Sequence, residues 1–220
     1  VLRSPLVTAA VDATLLSVAI PGPAGTLEGL LRSPAAPAGA AVVAHPHPLH
    51  GGTMHTKVVH RAARLLSSRF SLATVRFNFR GVGASAGSYD AGRGETEDLV
   101  AAGSWLRARQ PDGSFVVAGF SFGSVCALRA APRLGPDVLF LIGLPLDHWD
   151  GAAPAAPTWR VVWVQGEKDE FSPPARSRAI ASARGWTFLS VPGADHFFAG
   201  KLAEFEKTAG DALQLALHGA

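Results

Sequence analysis

The sequence predicts an α/β protein: a mostly parallel sheet with helices on both faces. Three observations carry this reading. Short apolar runs such as "AAVVAHP", "FVVAGF" and "DVLFLIGL" lack polar alternation, as strands buried on both sides do. Helix-length segments with one apolar side separate them. Gly and Pro mark the junctions at short intervals, and no internal repeat is present. Strands that alternate with helices join parallel neighbours through crossovers.

The elements follow in order. "TLLSVAI" (Thr14–Ile20) and "TLEGLLRS" (Thr26–Ser33), joined by "PGPAG", form an opening hairpin. "AAVVAHP" (Ala40–Pro46) is a short buried strand. A helix is expected from Thr53 to Phe70, with Val58, Val59, Ala62, Leu65 and Leu66 on its apolar side. "LATVRFNF" (Leu72–Phe79) is the next strand, and Arg93 to Arg109 the next helix, through Leu99, Val100, Trp105 and Leu106. Strands at Phe115–Phe120, Asp137–Leu144, Trp159–Gly166 and Thr187–Gly193 alternate with helices at Phe122–Ala131, Pro174–Arg184 and Lys201–Leu217. In such a sheet, reactive groups gather at the carboxyl ends of the strands.

A chain of 220 residues fits one domain, 1–220. With 48% hydrophobic and 17% charged residues it is globular in composition. One cysteine, Cys126, allows no internal disulfide. The formal charge of +3 is small, and the 20 Lys and Arg residues form no block, so nucleic acid is not an expected partner. No apolar run reaches the roughly 18 residues of a membrane span. "LVTAAVDATLLSVAI" holds Asp12 and reads as the start of the fold rather than a signal peptide, so a cytoplasmic chain is expected. Nothing indicates a cofactor or an oligomeric state.

"GFSFG" (Gly119–Gly123) fits G-x-S-x-G between a strand and a helix. That context places Ser121 on a sharp turn, with a helix N-terminus favouring negative charge beside it. Glycines flank it because a side chain there would meet neighbouring backbone. A serine needs a base, and the base an orienting acid. Asp169, in "QGEKDEF", follows the strand Val161–Val164, and His196, in "PGADHFF", follows the last strand. Three strand ends thus supply serine, acid and histidine in the expected order. Asp147 is the competing acid, after the preceding strand; Asp195 adjoins His196 and is expected to cap the final loop.

Acyl transfer also needs N–H donors for an oxyanion. One is Phe122, after the serine. The other lies in "HPHPLHGG", where the prolines at 46 and 48 have no N–H and leave His47 or Leu49. The rival reading of His45, His47 and His50 is a metal site, since H-x-H-x-L-H nearly copies the zinc pattern of metallo-β-lactamase-like hydrolases. Leu49 stands at that pattern's aspartate, and no later ligands fit, so no metal is expected. His55 and His60 read as helix-surface or partly buried histidines, and Cys126 as a small buried side chain. "RGVGASAG" (Arg80–Gly87) is one residue too long for a dinucleotide fingerprint and reads as a loop at the site's rim.

Through "HPHPLHGGTMHTKVV", "VRFNFRGVGASAGSYD", "GFSFGS", "QGEKDEF" and "PGADHFF" the chain resembles the α/β-hydrolases. The combination is similar to small bacterial members near the dienelactone-hydrolase-like and serine-aminopeptidase-like branches. The resemblance implies Ser121 as nucleophile, His196 as base and Asp169 as orienting acid, acting on a small acyl substrate. Dienelactone hydrolases carry cysteine where this chain has Ser121. Only "PLDHWDGAAPAAPT" (Pro145–Thr158) stands where many members insert a cap, so no cap domain is expected, and Trp149, Phe171, Phe197 and Phe198 are candidates for the rim. The implied activity is hydrolysis of an ester or related acyl bond. The alternatives are a metal-dependent hydrolase and a non-catalytic binding protein on the same fold.

Overall fold

The apolar runs assemble into an eight-stranded sheet in the order β1-β2-β4-β3-β5-β6-β7-β8. A computed structural model describes residues 13–151 and 157–219. The strands are β1 (Thr14–Gly22), β2 (Gly25–Ser33), β3 (Gly39–Ala44), β4 (Leu72–Phe77), β5 (Ser114–Phe120), β6 (Val138–Ile142), β7 (Arg160–Gly166) and β8 (Thr187–Val191). β1 and β2 form the expected antiparallel hairpin, and β2 also pairs antiparallel with β4. The pairs from β4 through β3, β5, β6 and β7 to β8 are all parallel. Every residue of β3, β4 and β6 is buried, which explains their unbroken apolar runs.

Among the described residues five helices cover the sheet: α1 (Lys57–Phe70), α2 (Arg93–Arg107), α3 (Phe122–Leu134), α4 (Pro174–Ala183) and α5 (Leu202–His218). The period-two alternation of the strands divides the core. Ala40, Val42, Phe115 and Val117 pack against α2 and α3 through Leu99, Ala102, Cys126 and Ala130. Ala41, Val43, Val116 and Phe120 pack against α1 and α5 through Val59, Leu66, Phe205 and Leu213.

Most boundaries agree with the sequence within a residue or two. The first helix starts later, at Lys57 rather than Thr53. Met54 accounts for this: its N–H donates to Asn78 Oδ1 at 2.9 Å and its carbonyl accepts from Arg76 at 2.9 Å, so its backbone is spent on β4 and the segment after it. β3 and β4 also end two residues early, because His45 and Phe79 leave the ladder to bond each other. Between β6 and β7 the described residues hold only a 3-10 turn, Leu146–His148, in agreement with a fold without a cap. Residues 1–12 and 152–156, including the start of the first stretch and part of the short connection, lie outside the described residues.

Candidate active site

Ser121 sits between β5 and α3 with φ 54° and ψ −121°, a strained backbone for a residue with a side chain. Its N–H donates to the Ile142 carbonyl at 2.8 Å. Ser124, one turn on, donates to the Gly119 carbonyl at 2.6 Å and fixes the turn from below. The flanking glycines are required by close approach. A Cβ on Gly119 would stand 2.1 Å from the Gly123 carbonyl oxygen, and one on Gly123 2.6 Å from that of Ala44.

The three strand-end residues meet. Ser121 Oγ lies 2.9 Å from His196 Nε2, and His196 Nδ1 lies 2.7 Å from Asp169 Oδ2. A carboxylate only accepts, so the proton belongs on Nδ1, which leaves the Nε2 lone pair facing the serine O–H. His196 and Asp169 are 2% and 4% exposed, so water does not compete for this pair. The Asp169 carboxylate is held further. Oδ1 accepts from the Phe171 N–H at 2.9 Å, and Oδ2 accepts from Gln165 Nε2 at 2.5 Å. Gln165 Oε1 in turn accepts from the Trp163 indole at 2.8 Å. Indole nitrogen only donates, which fixes the amide with its NH2 towards Asp169. Neither Ser124 nor Gln165 stands out in the sequence; the signal was that a polar residue closes the apolar run of β7.

The competing acids are engaged elsewhere. Asp147 is exposed and pairs with Arg176 at 3.4 Å. Asp195 caps the last loop by accepting from the Ala199 N–H at 2.9 Å.

The "HPHPLHGG" stretch forms a 3-10 turn, Pro48–His50, beside the serine. His45 is fully buried. Its Nδ1 donates to the Pro46 carbonyl at 2.6 Å and its Nε2 accepts from the Phe79 N–H at 3.0 Å. Burial pushes its pKa down to about 4, partly opposed by the Pro46 bond. His47 Nδ1 accepts from the Leu49 N–H at 3.2 Å, and its Nε2 lies 3.1 Å from the Tyr89 hydroxyl. The nitrogens of His45 and His47 are therefore spent on the protein, not aimed at a common point. Among the described residues no group of three His, Cys, Asp or Glu is arranged to hold a metal ion. The same bonds separate the two oxyanion candidates. The Leu49 N–H is used by His47, and Leu49 is exposed. Among the described residues the amides of His47 and Phe122 have no acceptor, and both residues line the serine's cavity.

That cavity measures about 250 Å³, with Phe122, Phe171, Phe197, Pro46 and Pro145 among its walls. It falls just below the usual size of ligand sites, roughly 300–1,000 Å³. Of the four aromatic rim candidates, only Phe171 and Phe197 reach it; Trp149 packs with Trp186 and Phe198 with Phe205 in the core. The loop 80–87 does not line the cavity either. Ala84 and Ala86 donate to Glu28 and Thr26, which ties it to β2 instead. A larger cavity, about 550 Å³, lies by Trp159 and Trp186 at the opposite ends of β7 and β8, away from all three residues. Cys126 is buried, and burial raises its thiol pKa. His60 is exposed on α1, as expected; His55 is exposed too, but it precedes the helix, which starts at Lys57. Among the described residues no helix is long and apolar enough to cross a membrane.

Residues 49–190 match the family model described as the alpha/beta hydrolase fold. A protein of Rickettsia prowazekii, itself uncharacterized, is 33% identical over 205 residues, covering 87% of this chain and 86% of its own length. The crystal structure of XC6422 from Xanthomonas campestris, an α/β serine hydrolase without a lid, superposes with a TM-score of 0.85 at 36% identity, over 94% of this chain and 96% of that one. Dienelactone hydrolase from Anabaena variabilis shares the fold at 19% identity, with a TM-score of 0.76 over 94% of this chain and all of its own (100%). On its sequence match and on its architecture, this chain is a member of the α/β-hydrolase family.

Proposed function

We propose that this chain is a serine hydrolase that cleaves a carboxylic ester or related acyl bond through an acyl-enzyme. One observation carries the reading: the unbroken chain of hydrogen bonds from Ser121 Oγ through both nitrogens of His196 to Asp169. His196 Nε2 takes the serine proton as Oγ attacks the acyl carbon. Asp169 keeps the imidazole in the reactive tautomer and faces the imidazolium that forms. The N–H groups of Phe122 and His47 receive the oxyanion, and the N-terminus of α3 adds its partial positive charge. His196 then protonates the leaving group, and water releases the acyl group by the same steps in reverse roles. Gln165 acts as a positioning residue, through Asp169. The lidless serine hydrolase from Xanthomonas supports this reading by its likeness.

The test is turnover of p-nitrophenyl acetate by the wild type and by Ser121→Ala. The variant is expected to keep the fold and lose activity by on the order of 10⁴-fold or more. Turnover that survives the substitution would reject Ser121 as nucleophile.

A further inference from the structure

The solvent side of α1 carries Lys57, His60, Arg61 and Arg64, a spacing that puts all four on one face of the helix. At 1.5 Å per residue they span about 10 Å. Helix stability does not ask for this pattern. Lys57 stands in the first turn, where the helix dipole favours anions, and no acidic residue is there to offset it. Lys57 and Arg61 are like charges four residues apart, which is unfavourable. Glu206 of α5 reaches Arg61 at 2.9 Å and Arg64 at 2.8 Å, so one carboxylate serves two guanidiniums. Among the described residues Lys57 has no carboxylate partner. With His55 and Leu202 these side chains line an open cleft of about 510 Å³. Desolvation of the ring, and then the charges of Arg76, Arg64, Arg61 and Arg32, hold the His60 pKa below its ordinary value.

The cleft neighbours the active site through shared walls. A depression of about 350 Å³ shares Lys57 and Leu202 with the cleft, and Thr56 and Phe197 with the Ser121 cavity. Its remaining walls, among them Val58 and Ala199, are uncharged. The three concavities follow one another with a nucleophile at one end, a middle whose walls other than Lys57 are uncharged, and cations at the other end. Chemistry sets the direction of a substrate along them. His196 must return its proton to the leaving atom, so the leaving group lies on the imidazole's side. The Phe197 ring stands 5.1 Å from that imidazole, and the middle depression begins at Phe197.

Resting on the serine-hydrolase reading above, we propose that the leaving group of the substrate carries a phosphoryl group on an extended uncharged spacer, bound by Lys57, His60, Arg61 and Arg64. In the step, the bond from Ser121 Oγ to the acyl carbon forms and the acyl C–S or C–O bond breaks. The serine proton passes through His196 to the departing sulfur or oxygen. The phosphoryl group is unchanged and leaves by way of the cleft. A glycerophospholipid shares the phosphate but holds it close to the ester, without the spacer that the middle depression requires.

Two thioesters with the same acyl group test this: acetyl-coenzyme A, which carries the spacer and phosphates, and acetyl-N-acetylcysteamine, which is uncharged. The wild type is expected to favour the first in kcat/KM by about tenfold or more at low salt, and the ratio is expected to fall towards one in Lys57→Glu/Arg64→Gln and at high salt. A ratio near one in the wild type, or one that the substitutions leave unmoved, overturns the proposal. So does a preference for dihexanoyl phosphatidylglycerol over acetyl-coenzyme A. Binding is read separately, by calorimetry of coenzyme A with Ser121→Ala. Saturable binding that weakens about tenfold with the two α1 substitutions supports the cleft. No binding overturns it, even where p-nitrophenyl acetate is turned over. Binding together with a wild type inert towards every ester counts against the Ser121 reading alone.

Discussion

His45→Gln isolates the contribution of one buried imidazole to acid stability. In the native state His45 is neutral, with Nδ1–H on the Pro46 carbonyl and its Nε2 lone pair on the Phe79 N–H. A second proton has to displace the Phe79 bond inside a fully buried site, which agrees with a pKa lowered from 6.5 to about 4. Between those values the unfolded chain binds a proton that the folded chain refuses, so stability rises with pH there. The contribution is complete above about pH 6.5 and is lost as pH falls towards 4. From about pH 7.5 to about pH 5 the loss is about 2 kcal/mol, at 1.36 kcal/mol per pH unit. Glutamine keeps an acceptor for Phe79 and cannot titrate. The variant is expected to be less stable near neutrality, having lost ring packing and the Pro46 bond, and flatter in acid. Urea unfolding of both proteins at the two pH values measures the difference between their acid losses. His47 and His60 also have lowered pKa values, but they titrate in both proteins and cancel. An acid loss as large in the variant as in the wild type would refute the reasoning.

Two further substitutions probe the site. Ser121→Gly should abolish ester turnover yet raise stability by roughly 1 kcal/mol, because glycine relieves the φ of 54° at a smaller entropic cost; a melting point about 2–4 °C higher by calorimetry is the expected sign, and a lower one would remove the claim of strain. Gln165→Leu removes the Asp169 donor and orphans the buried Trp163 N–H, so about 2 kcal/mol of stability should be lost by urea unfolding; kcat for p-nitrophenyl acetate should drop about tenfold with KM held, whereas equal retention of kcat would make Gln165 merely structural.

Much of this was legible before the structure. The strand order could not be read, but strand identities could, because β3, β5 and β6 are buried on both faces and their composition says so. The meeting of Ser121, Asp169 and His196 followed from each standing just past the carboxyl end of a strand in one parallel sheet. Other features depend on contacts that no local pattern encodes. The late start of α1 comes from Asn78, 24 residues away from Met54. That the Leu49 amide is already engaged depends on the His47 side chain folding back onto an amide two residues on. The 80–87 loop resembled an active-site rim in position, and its bonds to Glu28 and Thr26 tie it to the hairpin instead. The basic face of α1 was legible in the i, i+3, i+4, i+7 spacing of Lys57, His60, Arg61 and Arg64, but its place beside the active site was not, because that depends on how α1 packs in the fold.

The central claim is that His196 and Asp169 make the Ser121 oxygen a nucleophile. Intact-protein mass spectrometry after a fluorophosphonate reagent, with peptide mapping, reads this without assuming a substrate. One adduct per chain is predicted, on Ser121, formed by the wild type, slowed by orders of magnitude in His196→Ala and absent in Ser121→Ala. An unlabelled wild type, or labelling as fast without the imidazole, would contradict the claim.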